Sequence, residues 1–292
     1  MNIAFIGLGT MGGAMSANLI KGGFSVYGFD ISSAALDRLA QAGGTPCSSM
    51  AEAAAKGDIV FTMLPNSPHV EQAIRTVVDS AASGTLFVDC STILPDTTVR
   101  VGEFLASKGM RFMDAPVGRT GREALLGKLL FMVGGEERDM EYVRPCLERM
   151  GDTILHCGPV GSGIATKIIN NYMSITLNVL TAEALTLGES LGLDRGRLME
   201  ALSGTPAGRG HLTTTYPNKV FKDDISAAFM LDLANKDLGL AIEVANIKNV
   251  PLFTGGAARQ AYSLARAKGY GGKDWTAMLN VIRELSQNQP SS

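Results

Sequence analysis

Five polar side chains share one face of a largely apolar stretch in the second half of the chain. The stretch lacks proline, and its composition predicts one long buried helix over about 163–191. At 3.6 residues per turn, offsets of 0, 3, 4, 7 and 11 place the polar residues on one helical face: Lys167, Asn170, Asn171, Ser174 and Asn178. A buried lysine costs free energy unless it is paired. A structural polar seam is the alternative for any single asparagine, but five such residues led by a lysine favour a functional site.

A second candidate lies in the segment MDAPVGRTG, residues 113–121. An apolar, strand-like run comes first, and Gly118, Arg119 and Thr120 follow it directly. A guanidinium group at the end of a buried strand can hold an anionic substrate. The alternative is a surface arginine that forms a solvated pair with Arg122. We favour the anion receptor, because ligands of parallel sheets bind beyond the strand ends.

A glycine-rich turn stands near the start of the chain. The short apolar run 2–7 predicts a buried strand, and GLGTMG follows it with its glycines in a GxGxxG pattern. Such glycines allow a tight turn and close approach of a pyrophosphate, whose charge is favoured by the N-terminus of the next helix. The pattern assigns cofactor binding to five residues: Gly7, Gly9, Thr10, Met11 and Gly12.

The acidic end of the second strand, Asp30 in FSVYGFD, completes this unit. A carboxylate there can accept hydrogen bonds from both ribose hydroxyls and repels the 2′-phosphate of NADP. The residues that follow, Ile31-Ser32-Ser33, offer no arginine to receive that phosphate. The alternative is that Asp30 serves as a helix N-cap. Strand, loop, helix, strand and acid within about 30 residues indicate an NAD site.

The elements that position these residues alternate along the first half of the chain. Further apolar runs predict strands at 58–65, 85–92, 111–117 and 129–135. Helical stretches lie between several of them, which predicts an α/β fold with a Rossmann-type doubly wound parallel sheet. The strand ends should share one crevice, which adds Leu64, Pro65 and Thr92 to the ligand-binding candidates.

The second half of the chain has a helical pattern, so we expect two domains. The first is an NAD-binding Rossmann domain, 1–162, and the second is an all-helical C-terminal domain for substrate binding and oligomerisation, 163–292. Two further helices are predicted, at 232–246 and 276–286. The turn-rich segment 203–219 is long for a simple connection, and its His211 is either a substrate contact or a packing residue.

Composition argues against several classes of function. The formal net charge is −2 and the basic residues are scattered, so nucleic acid is not an expected partner. No apolar window is long enough for a membrane span, and no positive charge precedes the apolar N-terminus as in a signal peptide. The four cysteines form no CxxC pair and do not have metal-ligand spacing to the three histidines. We therefore expect a cytoplasmic protein with reduced thiols, no membrane contact and no metal site.

Four motifs in order, GLGTMG, DAPV, GSGIATKIINN and NKDLGLA, resemble those of the β-hydroxyacid dehydrogenases, the group that contains 3-hydroxyisobutyrate dehydrogenase. The resemblance covers nearly the whole chain and implies dimers or tetramers. It also implies a catalytic lysine in a GxGxxxKxxxN motif, here Lys167, which acts as the general acid with Asn171 beside it. Thr92 and Lys236 match positions that approach the nicotinamide end of the cofactor in this family.

One stretch departs from most of the family. Most members have Ser-Gly-Gly after DAPV, whereas this chain has Gly-Arg-Thr at 118–120. In this respect, and in IINNYMS and GTPAGRGHLTTTYPNKV, the chain resembles the 3-sulfolactaldehyde reductases of bacterial sulfoglycolysis. That resemblance implies NADH-dependent reduction of 3-sulfolactaldehyde to 2,3-dihydroxypropane-1-sulfonate. It also implies that Arg119 contacts the sulfonate, helped by Asn170 and Ser174.

Three other functions stay open. Arg119 also suits a carboxylate, so the substrate could be succinic semialdehyde or tartronate semialdehyde. Imine reduction is known among relatives of the family, but those relatives usually lack the lysine. A non-catalytic NAD-binding protein is the third alternative, which the intact polar stripe disfavours. The expected assembly is a homodimer or homotetramer, because so apolar a helix also suits burial against a partner subunit.

Overall fold

The structure, a computed structural model, describes residues Met1–Ser286. It contains two compact units, of which the first spans Met1–Tyr172 and the second begins at Met173. The first unit is built around a β-sheet, and the second is helical. One long helix runs through the boundary between the two units.

Within residues 1–286, nine strands form the sheet of the first unit. They are β1 (Asn2–Ile6), β2 (Ser25–Phe29), β3 (Thr45–Pro46), β4 (Ile59–Thr62), β5 (Leu86–Asp89), β6 (Arg111–Asp114), β7 (Val117–Gly118), β8 (Leu129–Gly134) and β9 (Gly151–Gly158). Their order is β3-β2-β1-β4-β5-β6-β8-β7, with β9 paired to β8.

Strands β1 to β6 pair in parallel, as the alternation of strands and helices predicts. The parallel pairing ends at β6, because β8 runs antiparallel to both β6 and β7. The predicted strand 111–117 is also divided, into β6 and β7. Only residues 119–128 connect β7 to β8, which is shorter than a parallel crossover needs. The chain therefore turns back on itself at this edge.

Helices cover both faces of the sheet. They are α1 (Thr10–Lys21), α2 (Ser33–Gln41), α3 (Met50–Lys56), α4 (Ser67–Val77), α5 (Pro95–Ser107), α6 (Gly121–Leu125) and α7 (Glu137–Met150). Side chains alternate between the faces of a strand, and along β1 Ile3 and Phe5 belong to one apolar cluster while Ala4 and Ile6 belong to another. Two apolar layers on opposite faces of one sheet confirm the doubly wound fold.

The second unit consists of helices. Its elements, with the helix that enters it, are α8 (Ser162–Ser190), α9 (Arg195–Ser203), α10 (Pro206–Arg209), α11 (His211–Thr214), α12 (Leu231–Ile247), α13 (Phe253–Ala267) and α14 (Met278–Leu285). A small core forms around Leu231, Ala265 and Val281. Glu183 on α8 accepts a hydrogen bond from the backbone N–H of Thr254 at 2.9 Å, which ties α8 to the first turn of α13.

The long helix α8 has the predicted bounds but not the predicted burial. Tyr172 is 72% exposed and Ile175 is 66% exposed, so the prediction of a buried helix is wrong for the single chain. The prediction failed because an apolar composition indicates that a helix is buried but does not show whether its own chain or a partner subunit buries it. Within the described part of the chain, neither α8 nor any other helix is long and apolar enough to cross a membrane.

The segment 203–219, predicted as a turn-rich connection, folds largely into short helices. His211 lies among them, with its Nδ1 2.8 Å from Thr215 Oγ1. Its ring meets Trp275 edge-on, with ring centroids 4.6 Å apart, and burial lowers the pKa of His211. In this structure His211 is a packing residue of the segment.

Candidate active site

The three glycines of the first turn serve different purposes. Gly7 has a φ of 95°, and a Cβ placed on it would lie 2.3 Å from the Met63 carbonyl oxygen. A Cβ on Gly12 would lie 1.9 Å from the Gly7 carbonyl oxygen. Both positions therefore require glycine for close packing of strand and helix. Nothing lies within 4 Å of a Cβ built on Gly9, so the backbone there is open to a ligand.

Helix α1 begins directly after Gly9, and no side chain caps its first turn. The first N–H groups of a helix have no partner within the helix, which makes them donors for an anion. Thr10 is exposed at this end and Met11 is half-buried. An open glycine followed by an uncapped helix N-terminus fits the pyrophosphate of a dinucleotide.

Asp30 holds this turn from the end of β2. Its Oδ2 accepts a hydrogen bond from Leu8 N at 2.6 Å, and its Oδ1 accepts one from Ser32 N at 2.8 Å. The N-cap residue of α2 is Ser32, so the alternative that Asp30 is a helix N-cap is wrong. Each carboxylate oxygen has a further lone pair, which leaves Asp30 able to accept a hydrogen bond from a ribose hydroxyl.

The ends of β4 and β5 are joined by Ser91. Its Oγ accepts a hydrogen bond from Leu64 N at 2.8 Å and donates one to Asp89 Oδ1 at 2.6 Å. Burial raises the pKa of Asp89. This network brings Leu64 and the following Pro65 to the same edge of the sheet as Thr92, which is exposed. The predicted convergence of these strand ends is present in the first unit.

The loop that carries Arg119 lies beside the glycine-rich turn. A Cβ built on Gly121 would be 3.4 Å from Thr10 Cγ2, at the start of α1. Gly118 is buried as the last residue of β7. Thr120 caps α6, with a capping box to Glu123, so its side chain stabilises the loop locally.

Arg119 has a φ of 74°, a conformation that costs free energy for a residue with a side chain. Its Nη1 donates a hydrogen bond to Asp152 Oδ1 at 2.6 Å and another to the Lys128 carbonyl oxygen, and its Nη2 donates one to Thr153 Oγ1 at 3.2 Å. Hydrogen bonds from Thr153 and Arg119 lower the pKa of Asp152. Asp152 therefore stays ionised and balances part of the arginine charge.

The sequence did not reveal these partners of Arg119. Asp152 and Thr153 lie on β9, a strand that the sequence pattern did not predict. They are more than thirty residues from Arg119 along the chain, and only the pairing of β9 with β8 brings them close. Asp152 follows a glycine in the sequence, and this local pattern does not predict an ion pair with Arg119.

Three members of the polar stripe lie on α8 within the first unit. Lys167 is half-buried, and burial lowers the pKa of its ammonium group. A lysine with a lowered pKa gives up its proton more readily, which suits a general acid. Asn170 Nδ2 donates a hydrogen bond to Asn171 Oδ1 at 3.3 Å, so the two amides are coupled.

The remaining predicted residues belong to the second unit. Ser174 is exposed on α8. Lys236 is exposed on α12 and forms an ion pair with Asp237, with Nζ and Oδ1 3.1 Å apart. Both side chains reach solvent, so neither charge is buried against an apolar face.

Two family models together match most of the chain. One is described as the NAD binding domain of 6-phosphogluconate dehydrogenase and matches residues 2–158. The other is described as NAD-binding of NADP-dependent 3-hydroxyisobutyrate dehydrogenase and matches residues 161–282. The boundary between the two matches falls directly before α8.

Individual relatives cover nearly all of the chain. The 3-sulfolactaldehyde reductase of Escherichia coli K12 is 44% identical over 284 residues, which is 96% of this chain and 95% of that protein. The structure of a Mycobacterium tuberculosis 3-hydroxyisobutyrate dehydrogenase with L-serine is 35% identical, covers 97% of this chain and 99% of its own, and has a TM-score of 0.70. An imine reductase variant from Myxococcus stipitatus in complex with NAD+ is 17% identical, with 96% and 99% coverage and a TM-score of 0.88, so it shares the fold alone.

Proposed function

The chain belongs to the 3-hydroxyisobutyrate dehydrogenase family of NAD-dependent oxidoreductases, and from this we propose that it reduces 3-sulfolactaldehyde to 2,3-dihydroxypropane-1-sulfonate with NADH. The observation that carries the substrate assignment is Arg119, in the loop beside the glycine-rich turn. The relative of 44% identity that carries the name 3-sulfolactaldehyde reductase supports it.

A sulfonate matches the donors that this loop offers. It carries one delocalised charge over three oxygens and stays ionised at every physiological pH. A planar guanidinium presents several N–H donors to such a group, and Asn170 and Ser174 are proposed to add an amide and a hydroxyl. Gly118 and Thr120 flank Arg119, and we assign their backbone to the same receptor.

The receptor must work alongside Asp152. Arg119 has five N–H donors, and three of them are used by Asp152, Lys128 and Thr153. Two donors, on Nε and Nη2, are left for the sulfonate. Asp152 holds the guanidinium in place and at the same time weakens its net positive charge, so it should limit the affinity for any anion.

The cofactor is NAD(H), and the residues of the first turn are proposed to hold it. Gly9 and the start of α1, Thr10 and Met11, would bind the pyrophosphate, and Gly7 and Gly12 give the turn its shape. Asp30 would accept hydrogen bonds from the ribose and repel a 2′-phosphate, which favours NAD over NADP. Leu64, Pro65, Thr92 and Lys236 are assigned to the remaining contacts, the last two near the nicotinamide.

Lys167 is the proposed general acid. Bound NADH supplies the hydride that reduces the aldehyde carbon. Lys167 hydrogen-bonds the carbonyl oxygen of the bound aldehyde and gives it a proton as negative charge develops there, while Asn171 orients the ammonium group or a substrate hydroxyl. A depressed pKa assists this transfer.

Several wider features follow as proposals. Residues 1–162 would serve cofactor binding, and 163–292 substrate binding and oligomerisation. A homodimer or homotetramer is proposed because the exposed apolar side chains of α8 need cover. We place the enzyme in the cytoplasm, where a pool of NADH is available and cysteines such as the free Cys90 and Cys146 stay reduced.

The direct test compares two aldehydes with the wild-type enzyme. We expect kcat/KM for 3-sulfolactaldehyde to exceed that for succinic semialdehyde by on the order of 100-fold, measured as NADH oxidation. Equal values would favour a general carboxylate or semialdehyde dehydrogenase. Turnover of a cyclic imine in place of both aldehydes would favour imine reduction, and NADH binding without any turnover would favour a non-catalytic role.

A further inference from the structure

Asp114, in the DAPV motif, has no role in the chemistry described above. It is the last residue of β6 and is 1% exposed. Its Oδ1 accepts a hydrogen bond from Gly161 N and its Oδ2 accepts one from Ile164 N, both at 2.7 Å. One buried carboxylate therefore joins the end of an interior strand to the first turn of α8.

Two glycines enclose this carboxylate. A Cβ on Gly134 would lie 2.4 Å from Asp114 Oδ1, and a Cβ on Gly163 would lie 2.8 Å from Asp114 Oδ2. The Cβ on Gly163 would also lie 2.2 Å from the Met132 carbonyl oxygen. The start of α8 is thus packed directly on the backbone of β8 and on the Asp114 side chain, which leaves it little freedom to move.

We propose that Asp114 is a positioning residue for the reaction: it fixes the first turn of α8 so that Lys167 keeps one place relative to the Gly118–Thr120 loop. Lys167 follows Ile164 by three residues, less than one helical turn. Gly118 follows Asp114 by four residues, so Asp114 also lies close in sequence to the start of the substrate loop. The proposal rests on the roles given to Lys167 and Arg119 in the proposed function.

The charge of Asp114 contributes to this anchor. An ionised carboxylate accepts both N–H groups and suits the positive end of the α8 dipole. Burial raises the pKa of Asp114 to about 6, the N–H groups of Gly161 and Ile164 act against this rise, and Asp89 on β5 adds to it. At neutral pH both oxygens are acceptors, whereas protonation at lower pH removes one of them.

The experiment uses Asp114→Asn, which keeps the volume of the side chain but replaces one acceptor oxygen by a donor. The control is Asp139→Asn on α7, where the carboxylate is also buried and accepts a hydrogen bond at 2.8 Å from Nη1 of Arg111, the first residue of β6. Both variants and the wild type are assayed with whichever of the two aldehydes the wild type reduces faster. If the sulfonate assignment is wrong, the wild type will show it by preferring the other aldehyde. The comparison of the two variants can still be made with that substrate.

We expect Asp114→Asn to lower kcat by about 10- to 100-fold, because small misplacements of a catalytic group have effects of this size. KM and the NADH dissociation constant should stay unchanged, and the isotope effect with deuterated NADH should rise as hydride transfer becomes limiting. Asp139→Asn should lose thermal stability and keep its kcat. An unchanged kcat in Asp114→Asn, or an equal loss in both variants, would overturn the proposal.

A measurement on the wild type decides the matter if Asp114→Asn does not fold. The kcat of the wild type should fall on the acid side with a pKa near 6, at pH values where circular dichroism shows the fold intact. A kcat that stays level through this range would show that the charge of Asp114 does not control the position of Lys167.

Discussion

Lys167 is the residue on which the proposed chemistry depends most. Its ammonium group is half-buried on α8, and burial lowers its pKa without help from a neighbouring charge. An aldehyde oxygen that gains negative charge during hydride transfer needs a proton donor within hydrogen-bond reach. Among the members of the polar stripe only Lys167 is a proton donor that ionises, so we propose that the amides and the hydroxyl orient the lysine or the substrate.

Replacement of this lysine should remove the chemistry and leave cofactor binding. We expect Lys167→Ala to lower kcat by about 10²- to 10⁴-fold, the usual contribution of a general acid. The NADH dissociation constant, measured by fluorescence titration, should be unchanged. Lys248→Ala, at an exposed lysine after α12, is the control and should keep full activity. Retained turnover in Lys167→Ala would refute the role of this residue.

The sequence revealed the residues of the candidate site better than their partners. Lys167 and Arg119 could be found because a charge in an apolar segment is unusual and local pattern shows it. The partners could not, because the bonds of Asp152 to Arg119 and of Asp114 to Gly161 span more than thirty residues. Such pairs depend on how strands and helices pack, which no local spacing determines.

At the scale of elements, prediction succeeded where both faces of a strand are buried. β4 and β5 are continuous apolar runs because helices cover both sides, and this pattern is easy to read. β9 was missed because its residues are largely exposed or half-buried, and its composition is mixed. The antiparallel turn to β8 was missed because strand direction depends on the length of the connection, not on the strand itself.

The three glycines of the glycine-rich turn differ in whether the backbone around them leaves room for a side chain. Gly7 and Gly12 are fixed by backbone contacts that a Cβ would violate, whereas Gly9 is left open. A bare GxGxxG pattern does not separate these roles. The structure separates them: of the three glycines, Gly9 has the open backbone, and it is the one that we propose to contact the cofactor.

At the scale of the whole molecule, the exposed apolar side of α8 is the main feature that a single chain does not explain. Ile168, Tyr172, Ile175 and Val179 recur at helical spacing and are all exposed. Isolated exposed apolar residues are common, but a continuous stripe on one helix marks a surface for another protein. A second copy of this chain is the proposed cover.

We therefore expect the wild type to sediment as a dimer or tetramer and Ile175→Glu to shift it towards monomer, because a charge in an apolar interface is costly. Ile247→Glu is the control, since Ile247 is equally exposed at the end of α12 but lies outside the stripe. Sedimentation velocity distinguishes these states. A wild type that stays monomeric at high concentration would refute the assembly.

The measurement that tests the central claim most directly compares Arg119→Gly with Arg122→Ala on both aldehydes. Arg119 has a φ of 74°, which glycine adopts readily, so the first substitution removes the guanidinium without straining the loop. Arg122, three residues on within α6, is the matched control. We expect Arg119→Gly to lower the preference for 3-sulfolactaldehyde over succinic semialdehyde by about 10- to 100-fold, the value of hydrogen bonds to a charged group, and Arg122→Ala to leave it unchanged. An unaltered preference in Arg119→Gly would contradict the account, because Arg119 would then not be the sulfonate receptor.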